Sequence, residues 1–341
     1  MAQDLFAQGG LRFSHLSKAD RGHLLARDGV IERPPIPRAA RGVSLTAAMT
    51  AEQATRDVLR ECFAQIEANI EAVRAGDDPE GPHQLRVGLR RLRGAFSIFD
   101  AAIGGAEMER LGAEAKWLGA EVGALRNLDV AVIDLIDPEV RAAEAEPGFA
   151  PLRAATIAQG DAARAGLRDT LDGQRVQAFL LHLARFAETR FWLTPEDFGQ
   201  SARLVAPARS VVAAALAKRW ARACARAKGI TGLGVEARHD LRKSLKQLRY
   251  AIEFAAPLFP AKQVAPFTER LKKLQSVCGR LNDSAMAEAL FSGPDAPAAD
   301  TPDAQRAAGR IIGARAALAA HEWRRARALW AELKRPDRFW T

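Results

Sequence analysis

Two stretches of this 341-residue chain carry the side chains best suited to chemistry: HQLRVGLRRLR at 83–93 and HDLRKSLKQLR at 239–249. Six of their eleven positions are identical, and the two stretches lie 156 residues apart. Placed on an α-helix at about 100° per residue, His83, Arg86, Arg90 and Arg93 fall within an arc of about 80°, and Leu85, Leu89, Leu92, Phe96 and Phe99 take the adjoining arc. The second copy repeats the map, with His239, Arg242, Lys246 and Arg249 beside Leu241, Leu245, Leu248 and Ile252. From His83 to Arg93 the row is about 15 Å long, more than one phosphate spans. No acidic residue occurs between His83 and Phe99, so same-helix pairing cannot neutralise the arginines. Guanidinium groups take phosphate oxygens in bidentate pairs, and such a row suits an extended anion.

A solvated helix face is the plain alternative for any single basic stripe. It makes no demand for a histidine at the first position, nor for the same four angular positions twice. Each histidine has two readings: a helix-start residue bonded to a carbonyl, or a phosphate contact kept neutral by its arginine neighbours until an anion favours the charged form. The sequence leaves both open.

The 156-residue interval also aligns Lys116 with Lys272, Leu118 with Leu274, Gly123 with Gly279 and Leu125 with Leu281. Lys116 shares a helix face with Gly119, Ala120 and Gly123, as Lys272 does with Gln275, Ser276 and Gly279, so small residues leave room beside each lysine. The same projection puts Arg126 on that side. Arg91, Lys243, Lys273, Arg219, Arg222 and Arg226 are secondary candidates for widening the basic surface.

These residues need helices to position them, and the pattern supplies them. From about residue 46 apolar residues recur at three- and four-residue spacing with no run of alternating β-branched residues, which predicts an all-α protein of roughly ten helices. Breaks are expected at 76–82, 137–138, 147–151, 194–195, 229–234, 257–260 and 292–302. Residues 1–45, with Gly9-Gly10 and Pro34-Pro35-Ile36-Pro37, read as a loosely structured arm. Arg190-Phe191-Trp192 is echoed by Arg338-Phe339-Trp340, which divides the remainder into repeats 46–198 and 199–341. Two similar helical bundles in tandem are the simplest account.

Fifty Lys and Arg against 41 Asp and Glu give a net charge of +9, and the pI is about 9.9, so the natural partners are anions. Aromatic residues make up 6%, with one tyrosine, which argues against stacking several bases. No apolar run is long enough to span a membrane and no secretory pattern opens the chain, so a cytoplasmic location is expected. Cys62, Cys224 and Cys278 lie far apart with no C-x-x-C pairing, which argues against a disulfide framework and against a zinc site of the usual spacing.

The doubled H-x-L-R-x-x-L-R/K-x-L-R helix, each followed about thirty residues on by a lysine-led helix, resembles the CHAD domain, the conserved histidine α-helical domain. The resemblance covers residues 46–341. It implies two four-helix bundles about a pseudo-two-fold axis, a central groove binding inorganic polyphosphate, and association with polyphosphate granules. The chain departs from the family's R-D-x-D segment with Asn127, and it has no E-x-E-x-K signature of the CYTH domain that many members carry.

The expected function is therefore polyphosphate binding without enzymatic activity, metal or cofactor. A nucleic-acid binder is the first rival, but the stripes lack interleaved Asn, Gln or aromatic residues for reading bases. A metal-dependent phosphohydrolase is suggested by His239-Asp240. The first copy has Gln84 in place of the Asp, and adjacent helical residues point about 100° apart, a poor chelating pair.

Overall fold

The computed structural model describes residues 18–28, 35–142, 146–335 and 337–341. Among these the protein is all-α, with no strand beyond one isolated bridge between Thr50 and Pro207. The helices are α1 (Lys18–Asp28), α2 (Ala51–Ala75), α3 (Glu80–Ile103), α4 (Ala106–Val130), α5 (Asp137–Ala142), α6 (Phe149–Asp172) and α7 (Gln174–Glu188), followed by α8 (Phe198–Val205), α9 (Ala208–Arg226), α10 (Val235–Ala255), α11 (Ala261–Phe291) and α12 (Pro302–Lys334).

Local chemistry explains the boundaries. Thr50 caps α2 in a reciprocal capping box with Gln53, a device that satisfies two orphan backbone donors. The turn after α3 needs glycine: Gly105 has φ 154, and a Cβ at Gly104 would stand 2.5 Å from the carbonyl oxygen of Asp100. The expected break at Asp137-Pro138 is bridged instead. A π-helical segment, Ala131–Ile136, carries α4 directly into α5, and Pro138, which has no N–H to give to the helix, falls just after that segment.

The apolar stripes of the repeated helices form the core. Leu85, Leu89, Leu92 and Phe99 on α3, and Leu241, Leu245, Leu248 and Ile252 on α10, are all essentially inaccessible. At about 1.5–3 kcal/mol for each fully buried side chain, these rows fix which face of each helix turns inward. The basic row beside them is thereby aimed at the seam. In the first half α3 packs against α2 and α4, and in the second α10 packs against α9 and α11, while α3 also touches α9 and α10. A second core of Leu135, Phe149, Phe291 and Ile311 ties α6, α11 and α12 together with the π-helical segment.

Each of the two Arg-Phe-Trp segments buries its indole. Trp192 packs edge-on against Phe186 at 5.2 Å, and Trp340 against Phe267 at 5.1 Å. The helices that precede these segments differ: α6 and α7 are broken at Gly173, whereas α12 runs unbroken.

Residues 1–17 and 29–34 of the expected arm lie outside the described residues. Residues 35–45, however, are docked. Asn69 brackets Arg38 by accepting from its backbone N–H at 2.9 Å and donating to its carbonyl at 2.9 Å. Glu61 accepts from the Arg38 guanidinium and the Arg41 backbone, and Leu45 is buried. Through these contacts residues 38–45 form a strap held against α2 rather than a loose arm.

Candidate functional site

The basic helices α3 and α10 touch where Gly94 meets Tyr250, with 3.3 Å between Tyr250 Cβ and a Cβ added at Gly94. Only a hydrogen at position 94 allows the backbones so close without displacement. Around this contact the two stripes open onto one cavity of about 860 Å³. The helix α3 contributes His83, Arg86, Arg90 and Arg93, and α10 contributes His239, Arg242, Lys243 and Lys246. Lys116 and Arg126 come from α4, and Arg219 from α9. Nine Arg and Lys side chains thus line the cavity against one carboxylate among the described residues, Asp283.

Two smaller cavities continue the groove. One of about 460 Å³ shares Arg86, Asn127, His239 and Asn282 with it; another of about 390 Å³ shares Arg93, Ser97, Arg219 and Gln247. A linear polyanion entering the groove therefore has room in both directions.

Crowding of like charge in a partly dehydrated space shows in the acid–base properties. Burial, then Arg242, Arg90 and Arg86, push the Lys246 ammonium down to about 7. Burial and the neighbouring Arg90, Arg242 and Arg126 push Arg86 down to about 10. Arg93 and Arg242 are lowered by burial first and by Arg90 second. Burial lowers both histidines, assisted by Arg126 at His83 and by Lys243 at His239, so each is mostly neutral at pH 7. No carboxylate among the described residues ion-pairs with Arg86, Arg90, Arg93, Arg126, Arg242 or Lys246 within 4.0 Å. Such unpaired repulsion is relieved when an anion enters.

Arg86 is held by its surroundings. Its guanidinium lies on Gly123, where an added Cβ would stand 3.3 Å from Cζ, and it donates to Asn127 Oδ1 at 3.3 Å. In the second half the corresponding pair is Arg242 and Asp283, so a neutral acceptor faces one arginine and a carboxylate the other. Asp129 turns away from the groove to Arg164, 3.3 Å from its guanidinium.

Six sequence-predicted candidates are not brought to the main cavity. Arg91 is the clearest correction: it is 3% exposed, donates to Gln65 at 2.7 Å and to the Arg41 carbonyl at 3.1 Å, and so anchors the strap rather than facing an anion. Arg249 is drawn off by Glu253, 3.4 Å away at i+4, where the first half has Ser97. Lys272 is exposed outside the lining, and Lys273 pairs with Glu269 at 3.0 Å. Arg226 pairs with Asp240 at 2.6 Å, and Arg222 lines only the smaller continuation beside Asp100 and Glu109.

That ion pair bears on hydrolysis, because Asp240 is engaged by both Arg226 and Lys243. Among the described residues no three His, Cys, Asp or Glu side chains are grouped to hold a metal. No helix of the described residues is long and apolar enough to cross a membrane.

Sequence reasoning missed Ser97, Gln247, Tyr250 and Asp283 as lining residues. Ser97 and Tyr250 were legible in principle, each one helical turn beyond a stripe residue, Arg93 and Lys246. Asp283 gave no such signal, since its inward aim depends on how α11 rotates against α10.

The CHAD domain family matches residues 57–292. The structure is similar to the crystal structure of the CHAD domain from the plant Ricinus communis, with TM-score 0.75 and 26% identity, covering 89% of this chain and 98% of that one. It also resembles PptA from Streptomyces chartreusis in fold, with TM-score 0.60 and 16% identity over 84% of this chain and 100% of the other. No curated protein matches the sequence.

Proposed function

Because the chain belongs to the CHAD domain family, we propose that its groove binds inorganic polyphosphate as a passive ligand, without turning it over. The observation that carries this reading is the lining itself: nine Arg and Lys side chains, one carboxylate, and a path that continues at two points. Binding replaces the mutual repulsion of those cations with bidentate contacts to closely spaced phosphates and releases condensed counterions, so affinity falls steeply with salt. We infer also that the halves are related by a pseudo-two-fold axis near Gly94 and Tyr250, which presents the stripes antiparallel to one polymer. The protein then acts as an adaptor that locates itself on polyphosphate granules.

Nucleic acid fits the same charge less well. Of Phe, Tyr and Trp the lining has Tyr250 alone among the described residues, and at 5% exposed it offers no platform for stacking bases. Competition among long-chain polyphosphate, duplex DNA and RNA, at matched phosphate concentration and physiological salt, tests the choice. Polyphosphate should displace both nucleic acids; equal competition at every salt concentration would leave only unspecific charge attraction.

A further inference from the structure

A fourth cavity lies between α10, α11 and α12 and opens onto the groove through shared lining residues His239, Arg242 and Asn282. Its volume is about 240 Å³, below the roughly 300–1,000 Å³ of sites that enclose whole drug-sized ligands, so it suits a single ring-sized group. Its character is unlike that of the groove. Leu281, Ile312, Ala316 and Ala319 give it apolar walls, while Ser284 and Glu288 add a polar edge.

Two buried donors at this cavity have no acceptor. Trp323 lines it and is 5% exposed, yet its indole N–H is unpaired; the Nε of Arg242, at the junction with the groove, is unpaired as well. Buried donors are nearly always satisfied in native proteins, and an unsatisfied one calls for an occupant. The Arg238 guanidinium lies over the Trp323 ring at 4.5 Å and fixes its plane. The indole N–H of Trp192 also lacks an acceptor, but that residue packs in the core against Phe186.

An apolar slot with an orphan donor and a polar edge, joined to a phosphate site, matches one ligand class. We propose that this cavity receives the base of a nucleoside polyphosphate whose phosphates lie on Arg242 and Lys246. The Trp323 N–H has almost no accessible surface in the free protein, so the wall gives as the base enters and a ring nitrogen or carbonyl then accepts from it, while an exocyclic amine faces Glu288. The proposal rests on the reading of the groove as a phosphate site and adds a second ligand type to it.

Charge alone predicts the opposite preference, because inorganic tripolyphosphate is at least as anionic as ATP. The test is calorimetric titration of the full chain with ATP and with tripolyphosphate, metal-free at one ionic strength, in the parent, Trp323→Phe and Ala319→Leu. Trp323→Phe keeps the ring and removes the donor; Ala319→Leu fills the slot. The expected result is ATP binding at least about tenfold tighter than tripolyphosphate in the parent, with that preference falling below about threefold in both variants. Tripolyphosphate affinity should be unchanged in the variants, which also reports that they are folded. Tripolyphosphate binding as tightly as ATP in the parent, or an ATP preference that survives both variants, overturns the base site and leaves the groove reading standing. Failure of both ligands to bind overturns the two together.

Discussion

Gly94 of α3 rests against Tyr250 of α10, and the interval between them, 156 residues, is the one that separates the repeated motifs. Corresponding positions of the two copies therefore touch each other. The contact holds both basic rows to one cavity, since residues on either side of it, Arg90 and Arg93, Lys246 and Gln247, share the lining. Gly94→Val places methyl groups into a 3.3 Å gap and should destabilise the fold by about 1–3 kcal/mol, read as a lower urea midpoint. An unchanged midpoint would mean that the helices separate freely.

Gly123 and Gly279 occupy matching positions but meet different surroundings. A Cβ at Gly123 presses on the Arg86 guanidinium, whereas a Cβ at Gly279 has nothing within 4 Å. Gly123→Ala should weaken polyphosphate binding by about threefold to tenfold through displacement of Arg86, a loss of the size of one charged hydrogen bond or less. Gly279→Ala should leave binding within about twofold and raise stability by about 0.5–1 kcal/mol, as helical Gly-to-Ala changes do. Equal effects in a binding titration would contradict the placement of Arg86.

The neutral acceptor at Asn127 and the carboxylate at Asp283 make the groove electrically uneven. Asn127→Asp should lower polyphosphate affinity and Asp283→Asn should raise it. The slope of log affinity against log salt should become shallower by about one unit in the first and steeper by a similar amount in the second. Slopes that do not separate would show that neither residue senses the polymer.

Lys246 makes binding depend on pH. Its ammonium, near 7 in the free protein, is half neutral at that pH, and an adjacent phosphate raises it again. Binding above pH 7 therefore takes up a proton, and affinity should fall as pH rises from about 7 to 9. Lys246→Arg, charged throughout, should flatten the profile. The stability of the free protein runs the other way: the unfolded lysine, at 10.5, binds more protons than the folded one, so stability rises with pH between about 7 and 10.5. Lys246→Met should remove that rise. Calorimetry in two buffers of different ionisation heat checks the uptake.

Much of this arrangement was legible in the sequence because it follows from periodicity. The leucine rows of α3 and α10 told which faces would be buried, and so which way His83, Arg86, Arg90, Arg242 and Lys246 would point. The features that stayed hidden depended on a partner distant in the chain. Arg91 looks like a stripe neighbour until the strap at 35–45 claims it, and Lys272 loses its expected place because the rotation of α11 turns it outward. Arg249 is legible in principle, since Glu253 lies one turn away, but its identity with Arg93 masks the change from Ser97 to Glu253. Trp323 offered nothing, because an orphan donor exists only once its surroundings are assembled.

The most direct measurement compares binding of long-chain polyphosphate to the parent, to Arg86→Ala/Arg90→Ala and to Arg242→Ala/Lys246→Ala at physiological salt, with circular dichroism alongside. One polymer spanning both rows acts as a bivalent ligand, so losing either row should cost more than about tenfold for a long chain, and less for a chain reaching one row only. Helical signal and melting temperature should stay at or above the parent's, since these cations repel one another. Parent-like binding by both variants would show that the two basic rows do not hold polyphosphate.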